Sequence, residues 1–204
     1  MKLYWHPVSL MPWRVKITLA EKGVSAEEVI VDLPGGGSRT PEFLALNPFG
    51  QTPVLEDDGL VIAESTAILE YLDERFPDPP LMPRTAAGRA LARQYMGWST
   101  DTWPFAWKRW VAPHAIGVAP GPEAAEQGKA ELTAHLDALA RPLSGADWLA
   151  GDYSLADICY APLVLMAARF GLDGAIAERP PVARWFDRLT SRPAVREGMA
   201  MLLG

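Results

Sequence analysis

Cysteine is nearly missing: Cys159 is the single one in 204 residues, which forbids an internal disulfide, excludes a Cys-x-x-Cys redox pair and fits a reducing compartment. No run of 18 or more apolar residues occurs, and the charge-free stretch 158–168 is too short to cross a bilayer and contains Pro162. Histidine is scarce too. His6, His114 and His135 are scattered with no ligand spacing around them, so no metal is expected. Cations are outnumbered, 19 Lys and Arg against 25 Asp and Glu for a net charge of −6, and no basic cluster reverses that balance locally. The attraction that a phosphate backbone or an anionic bilayer requires is therefore lacking, and neither nucleic acid nor membrane is an expected partner. Met1-Lys2-Leu3-Tyr4-Trp5-His6 holds one basic residue and no apolar block, so a secretory leader is not expected and the expected location is cytoplasmic.

What is present is ordinary globular material: 49% hydrophobic and 22% charged residues, enough apolar surface for a core. At about 150 residues per domain, the length allows one large domain or two small ones. Residues 2–5 read as a strand that His6-Pro7 ends. Pro12 and Gly23 bracket a helix over 12–22, although Trp13, Val15, Ile17 and Leu19 alternate as they would in a strand. Glu28–Val31 is a second strand, which with the intervening helix makes a right-handed parallel βαβ unit. Gly35-Gly36-Gly37-Ser38 is a loop and 41–46 a short helix. Thr52–Glu56 and Leu60–Ile62 form a hairpin around Asp57-Asp58-Gly59, and Ile68, Leu69, Leu72 and Phe76 place an amphipathic helix over 64–76.

The order is βαβ, α, ββα, a four-stranded mixed sheet spanning residues 1–77, and Asp78-Pro79-Pro80 marks a linker. From residue 84 to 204 no strand signal recurs. Ala- and Leu-rich stretches over 84–112, 122–143, 154–170 and 181–190 predict an all-helical second domain. Ser154-Leu155-Ala156-Asp157 reads as a capping box, with Tyr153 and Ile158 placed for a hydrophobic staple.

Three local features suggest a ligand site, and each has a purely structural reading beside it. Pro53 stands at the start of a strand, as an edge proline or behind a cis Thr52-Pro53 bond that turns the Thr52 peptide outward. Glu64-Ser65 opens a helix whose first amides suit a carboxylate, or caps that helix and nothing more. Ser9 lies in the loop before the first helix, free to hydrogen-bond an anion or only water. Trp103, Trp107 and Trp110 fall at i, i+4 and i+7, a stripe that forms core or domain interface unless it walls a pocket.

The segments Asn47-Pro48-Phe49-Gly50-Gln51-Thr52-Pro53-Val54-Leu55, Asp57-Asp58-Gly59, Glu64-Ser65-Thr66-Ala67-Ile68-Leu69-Glu70-Tyr71-Leu72, Glu21-Lys22-Gly23 and Gly151-Asp152-Tyr153-Ser154-Leu155-Ala156-Asp157-Ile158 closely resemble the glutathione transferase family along nearly the whole chain. The resemblance implies an α/β thioredoxin-like N-terminal domain that binds glutathione and an all-α C-terminal domain that contributes the pocket for an electrophile. It also implies a homodimer. Ser9, in Ser9-Leu10-Met11-Pro12-Trp13-Arg14-Val15, resembles the catalytic serine of theta- and zeta-like classes. Thr52 resembles the position whose main chain pairs with the cysteinyl part of glutathione, Pro53 the cis-proline, and Glu64 with Ser65 the grip on the γ-glutamyl end. Gln51 and Arg39 fall to the glycine carboxylate, and Met11, Trp103 and Trp107 to the electrophile side.

Two departures stand out: Ser38 replaces a histidine common in the family, and Met11-Pro12 replaces small polar residues after the serine. The expected function is transfer of glutathione, as co-substrate and without a metal, to a small hydrophobic electrophile. A glutathione-dependent isomerase of the maleylacetoacetate type and a non-catalytic binding module of the same fold are the alternatives.

Overall fold

The computed structural model describes residues 1–101, 109 and 121–199; the expected tryptophan stripe at Trp103, Trp107 and Trp110 lies outside them. The chain divides into two compact units, Met1–Pro80 joined by the chain from Arg192 on, and Leu81–Ser191.

In the first unit, β1 (Lys2–Trp5), α1 (Met11–Lys22), β2 (Glu27–Ile30), α2 (Pro41–Leu46), β3 (Val54–Asp57), β4 (Leu60–Ala63) and α3 (Ser65–Arg75) follow one another. The sheet order is β2-β1-β3-β4, with β1 parallel to β2 and antiparallel to β3, and β3 antiparallel to β4. Strand alternation sorts the side chains. Tyr4 and Val54 join Phe43 of α2 in one apolar cluster, while Trp5 meets Trp13 of α1 edge-on at 5.1 Å between centroids on the other face. The hairpin turn has positive φ at both Asp58 (50°) and Gly59 (83°), the twist that a two-residue connection between right-twisted strands prefers.

α1 is buried nearly all round, with Pro12, Trp13, Arg14, Val15, Ile17, Thr18 and Leu19 all inside, because it packs on the sheet, on α3 and on a C-terminal helix, α9 (Pro193–Gly198). This removes the puzzle of its strand-like sequence: a helix with no solvent face has no amphipathic period to display. Gly23, at φ 64°, closes it in the left-handed conformation, and the Gly23 and Val24 amides donate to the Ala20 and Leu19 carbonyls. Arg192 grips Glu21 through two hydrogen bonds of 2.8 and 2.9 Å. A Cβ on Gly198 would stand 2.8 Å from both Cα and N of Ile17, backbone atoms that cannot turn aside. Gly198→Ala is therefore expected to lower stability by about 1–3 kcal/mol through overpacking, read as a lower urea midpoint at constant slope.

Two expected strands shift. β2 starts and ends one residue early, and Thr52 with Pro53 stands outside β3, which begins at Val54. Short elements carry too few residues to show a period, so the 3₁₀ turn Gly37–Arg39 and α9 have no sequence signature.

The second unit contains α4 (Ala86–Asp101), α5 (Pro122–Leu143), α6 (Leu155–Ala167), α7 (Asp173–Ala177) and α8 (Pro180–Ser191). The helix expected over 154–170 ends at Ala167. A π turn over Ala168–Leu172 follows, with Phe170 and Gly171 out of helical geometry and Gly171 at φ 97°. The apolar stretch Leu155–Ala177, which includes that π turn, has the length and hydropathy of a membrane span with 67% of its most apolar window buried, and α6, buried along nearly its whole length, is the core helix within it.

The capping box forms: Asp157 accepts from the Ser154 amide at 3.0 Å while the Ser154 hydroxyl accepts from the Ala156 amide at 3.3 Å. The other Asp157 oxygen accepts from the Leu149 amide (3.1 Å) and the Trp185 indole (2.8 Å). Burial dominates over these donors and pushes the carboxyl up to about 6. Nearby in the same unit, His135 shares a 2.7 Å hydrogen bond with the Tyr160 hydroxyl, and burial pulls its imidazole down to about 4.

Candidate active site

The strand registers bring the expected site residues to one end of the sheet. Tyr4 of β1 lies opposite Val54, the first residue of β3, and Val54 lies opposite Ala63, the last of β4. The chain leaving β1 toward Ser9, the chain arriving at β3 through Thr52-Pro53 and the chain leaving β4 into Glu64-Ser65 therefore share an edge. Because β2 runs parallel to β1, the loop it feeds, which carries Ser38 and Arg39, leaves from that edge as well. Open α/β sheets bind ligands where loops gather in this way.

Ser9 is half-buried one residue before Leu10, the N-cap of α1, and its amide donates to the His6 carbonyl at 3.0 Å. Among the described residues no side chain caps α1; Pro12 has no N–H and the Trp13 amide donates to the Leu10 carbonyl at 3.2 Å, so what the 12-residue helix offers close after Ser9 is the positive end of its dipole. Met11, also half-buried, opens the helix.

Thr52 and Pro53 are buried and joined by a cis peptide bond. The Thr52 hydroxyl is buried with no hydrogen-bond partner among the described residues, although a buried hydroxyl is ordinarily satisfied. Its loop is held by Asn47, which is buried: the Asn47 amide nitrogen donates to the Gln51 carbonyl (2.8 Å) and its oxygen accepts from the Phe49 amide (3.1 Å). Gly50 sits at φ 60°, and a Cβ there would come 2.6 Å from the Ser38 carbonyl, so the loops 37–39 and 47–51 are packed backbone to backbone. Arg39 donates to the Phe49 carbonyl at 3.1 Å, and both Arg39 and Gln51 are exposed.

Glu64 is exposed at φ 73° and ψ 113°, a conformation that a non-glycine residue holds only when its surroundings impose it. It turns the chain sharply into α3, where Ser65 is buried and accepts a 3.5 Å hydrogen bond from Nη1 of Arg14. Asn47 and Arg14 are the supporting residues that sequence reading missed as site residues. Each stands inside a quoted segment, but its role depends on partners brought close by folding.

The arrangement offers an extended main chain at Thr52, a helix start with a hydroxyl at Ser65 suited to a carboxylate, and a hydroxyl at a second helix start, Ser9, suited to an anion. That set suits a peptide-like ligand that carries anionic groups. Among the described residues no group of three His, Cys, Asp or Glu stands together as a metal site.

The family model of the glutathione S-transferase N-terminal domain matches residues 1–74, and that of the C-terminal domain matches residues 102–193. Glutathione S-transferase 3 of Zea mays is 35% identical over 99% of this chain and 94% of its own length. A maleylacetoacetate isomerase of Dictyostelium discoideum is 32% identical over 96% of this chain and 90% of its own. The crystal structure of glutathione transferase F7 from Populus trichocarpa superposes with a TM-score of 0.85 at 32% identity, covering 97% of this chain and 98% of that one.

Proposed function

The chain belongs to the glutathione S-transferase family, and we infer from this that it is a glutathione transferase, which presents the glutathione thiolate to a small hydrophobic electrophile. The observation that supports this most is the gathering of Ser9, Thr52 and Ser65 at one sheet edge, each at the start of a helix or strand.

In this reading the Thr52 main chain pairs with the cysteinyl residue beside cis-Pro53. Glu64 and Ser65 take the γ-glutamyl carboxylate and amine, Gln51 and Arg39 take the glycine carboxylate, and Ser9 donates to the sulfur. Met11, with Trp103 and Trp107, belongs to the electrophile side, and the helical domain supplies that pocket. The serine type rests on Ser9. The theta- and zeta-like assignment does not carry further, since plant transferases and isomerases match alike along nearly the whole chain. We also propose a cytoplasmic homodimer, the location and assembly that the family resemblance implies.

A thiol of pKa near 8.5 is only about 3% ionised at pH 7. Lowering that value by about two units takes roughly 2.7 kcal/mol of selective stabilisation. A hydrogen bond to an ionised acceptor contributes about 1.5–3 kcal/mol, and the end of α1 adds about 0.3–2 kcal/mol, so the two together suffice. Titration of glutathione binding by calorimetry, followed by thiolate absorbance of the complex against pH, tests the reading. The expected result is binding at millimolar ligand or below and a thiol pKa near 6.5. No binding at millimolar glutathione would reduce the protein to a non-catalytic module, and a sulfur still protonated at neutrality would remove the Ser9 mechanism.

The isomerase relative of Dictyostelium discoideum favours one second reading, in which the thiolate adds to a cis-enone acid and is later expelled. Conversion of such an acid with no net consumption of glutathione identifies it.

A further inference from the structure

We propose that His6 is a positioning residue for Ser9, fixing through its ring the turn that presents the serine hydroxyl to the glutathione sulfur. This rests on the glutathione reading above and adds a residue to it.

The chain leaves β1 at Trp5, which is 1% exposed and whose carbonyl accepts from the Val31 amide at 2.8 Å. His6, Pro7, Val8 and Ser9 then form a turn closed by the Ser9 amide on the His6 carbonyl at 3.0 Å. Pro7 holds the second position, where its fixed φ suits such turns. A further hydrogen bond runs inside the turn, from the Val8 amide to Nδ1 of His6 at 3.2 Å. Another ties the turn to α1, where the Trp13 indole donates to the Pro7 carbonyl at 3.2 Å. Half-buried His6 thus holds the turn with both its main chain and its ring.

A backbone N–H can only donate, so Nδ1 is the acceptor and the neutral ring carries its proton on Nε2. A side chain that accepts from the amide two residues on is the device that asparagine and aspartate use in turns. Nδ1 of histidine stands where Oδ1 of asparagine would. The main-chain donors of the turn are therefore all engaged: Pro7 has no N–H, the Val8 amide is on the His6 ring and the Ser9 amide on the His6 carbonyl. From Pro7 to Ser9, the donor left for a ligand is the Ser9 hydroxyl. Its place depends on a turn in which Val8 is 70% exposed, where water takes the Val8 amide once the ring is gone.

The experiment compares His6→Ala, which removes the acceptor, with His6→Asn, which restores one at the same place. A neutral hydrogen bond changes an equilibrium by a factor of about 2–10. His6→Ala is expected to lower kcat for a general aryl halide by about threefold to tenfold, with the KM for glutathione changed by less than about twofold. The apparent pKa of the bound thiol is expected to rise by about half a unit or more. His6→Asn is expected to bring the rate back to within about twofold of the unaltered protein. In a Ser9→Ala background, His6→Ala is expected to change kcat by less than about twofold, because its effect passes through the serine. General loosening of the fold persists in that background and is not repaired by asparagine.

Should His6→Ala not fold, His6→Phe keeps a ring and lacks the acceptor, and the same losses are expected. Imidazole nitrogen-15 shifts of the neutral ring read the tautomer directly, with Nδ1 expected to be unprotonated; a proton on Nδ1 overturns the proposal. So does an unchanged thiol pKa in the alanine or phenylalanine variant, a loss of rate that survives in the Ser9→Ala background, or an asparagine variant as slow as the alanine. Each of these leaves the transferase reading intact. Failure of the unaltered protein to bind glutathione overturns both.

Discussion

Replacing Asp157 by alanine is expected to destabilise the helical unit by about 3–5 kcal/mol, since removing one member of a buried polar cluster strands its partners. The carboxylate accepts from the Leu149 amide, the Trp185 indole, and the amide and hydroxyl of Ser154. Leu149, Ser154 and Trp185 are themselves buried, so water cannot replace the lost acceptor without opening the core. At roughly 2–4 °C per kcal/mol for a chain of this size, the melting midpoint is expected to fall by about 6–20 °C, measured by calorimetry. A fall of only about 2 °C would mean that the cluster relaxes freely and the account is wrong.

The pH dependence separates the ionic part. Burial holds the Asp157 carboxyl at about 6 against an ordinary value of 3.8, so between those values the native state keeps a proton that the unfolded chain has lost. Its contribution is complete below pH 3.8 and disappears as pH rises through about 6. His135 works the other way. Burial lowers it from 6.5 to about 4, so its contribution is complete above pH 6.5 and disappears as pH falls through about 4. The two slopes oppose one another across one window. Asp157→Asn is therefore expected to expose the His135 slope, a urea midpoint that drops steadily on acidification from pH 6.5 toward 4. An Asp157→Asn midpoint that stays flat there would refute the His135 assignment.

Ser9→Ala is expected to lower turnover of a general aryl halide at least tenfold while the affinity for glutathione changes little. The hydrogen bond to an ionised sulfur is worth about 1.5–3 kcal/mol, which at about 1.4 kcal/mol per decade is a factor of about 10–150. The loss belongs in kcat rather than KM, because the bond is strongest when the sulfur carries its charge. The pH profile gives the sharper signature: the apparent thiol pKa is expected to climb toward the free value near 8.5, so that much of the lost rate returns at alkaline pH. A rate that falls without a shift of the profile would mean that Ser9 orients the ligand and does not stabilise the anion. An unchanged rate would point to another donor.

Much of the candidate site was legible before folding was considered. Ser9, Thr52-Pro53 and Glu64-Ser65 announce themselves through local rules, since a hydroxyl before a helix, a proline at a strand start and a serine at a helix start each have a meaning within three or four residues. Other parts carried no local signal. Asn47 has an unremarkable place in the chain, and only the closing of its loop puts its amide on the Gln51 carbonyl and the Phe49 amide. Arg14 reads as a cation in an apolar run; its partner Ser65 is 51 positions away.

By itself the sequence determined the order of the strands and longer helices of the first unit, the hairpin turn, the capping box at Ser154 and the absence of protein thiol chemistry in the first loop. These follow from backbone preferences and hydrogen bonds that span a few residues, and from the simple count of one cysteine. Only the tertiary structure decided that α1 has no exposed face, that the chain from Arg192 on packs with the first unit, and that four loops leave a single sheet edge. Burial and convergence are properties of segments distant along the chain, and no local periodicity encodes which distant segment arrives to cover a surface.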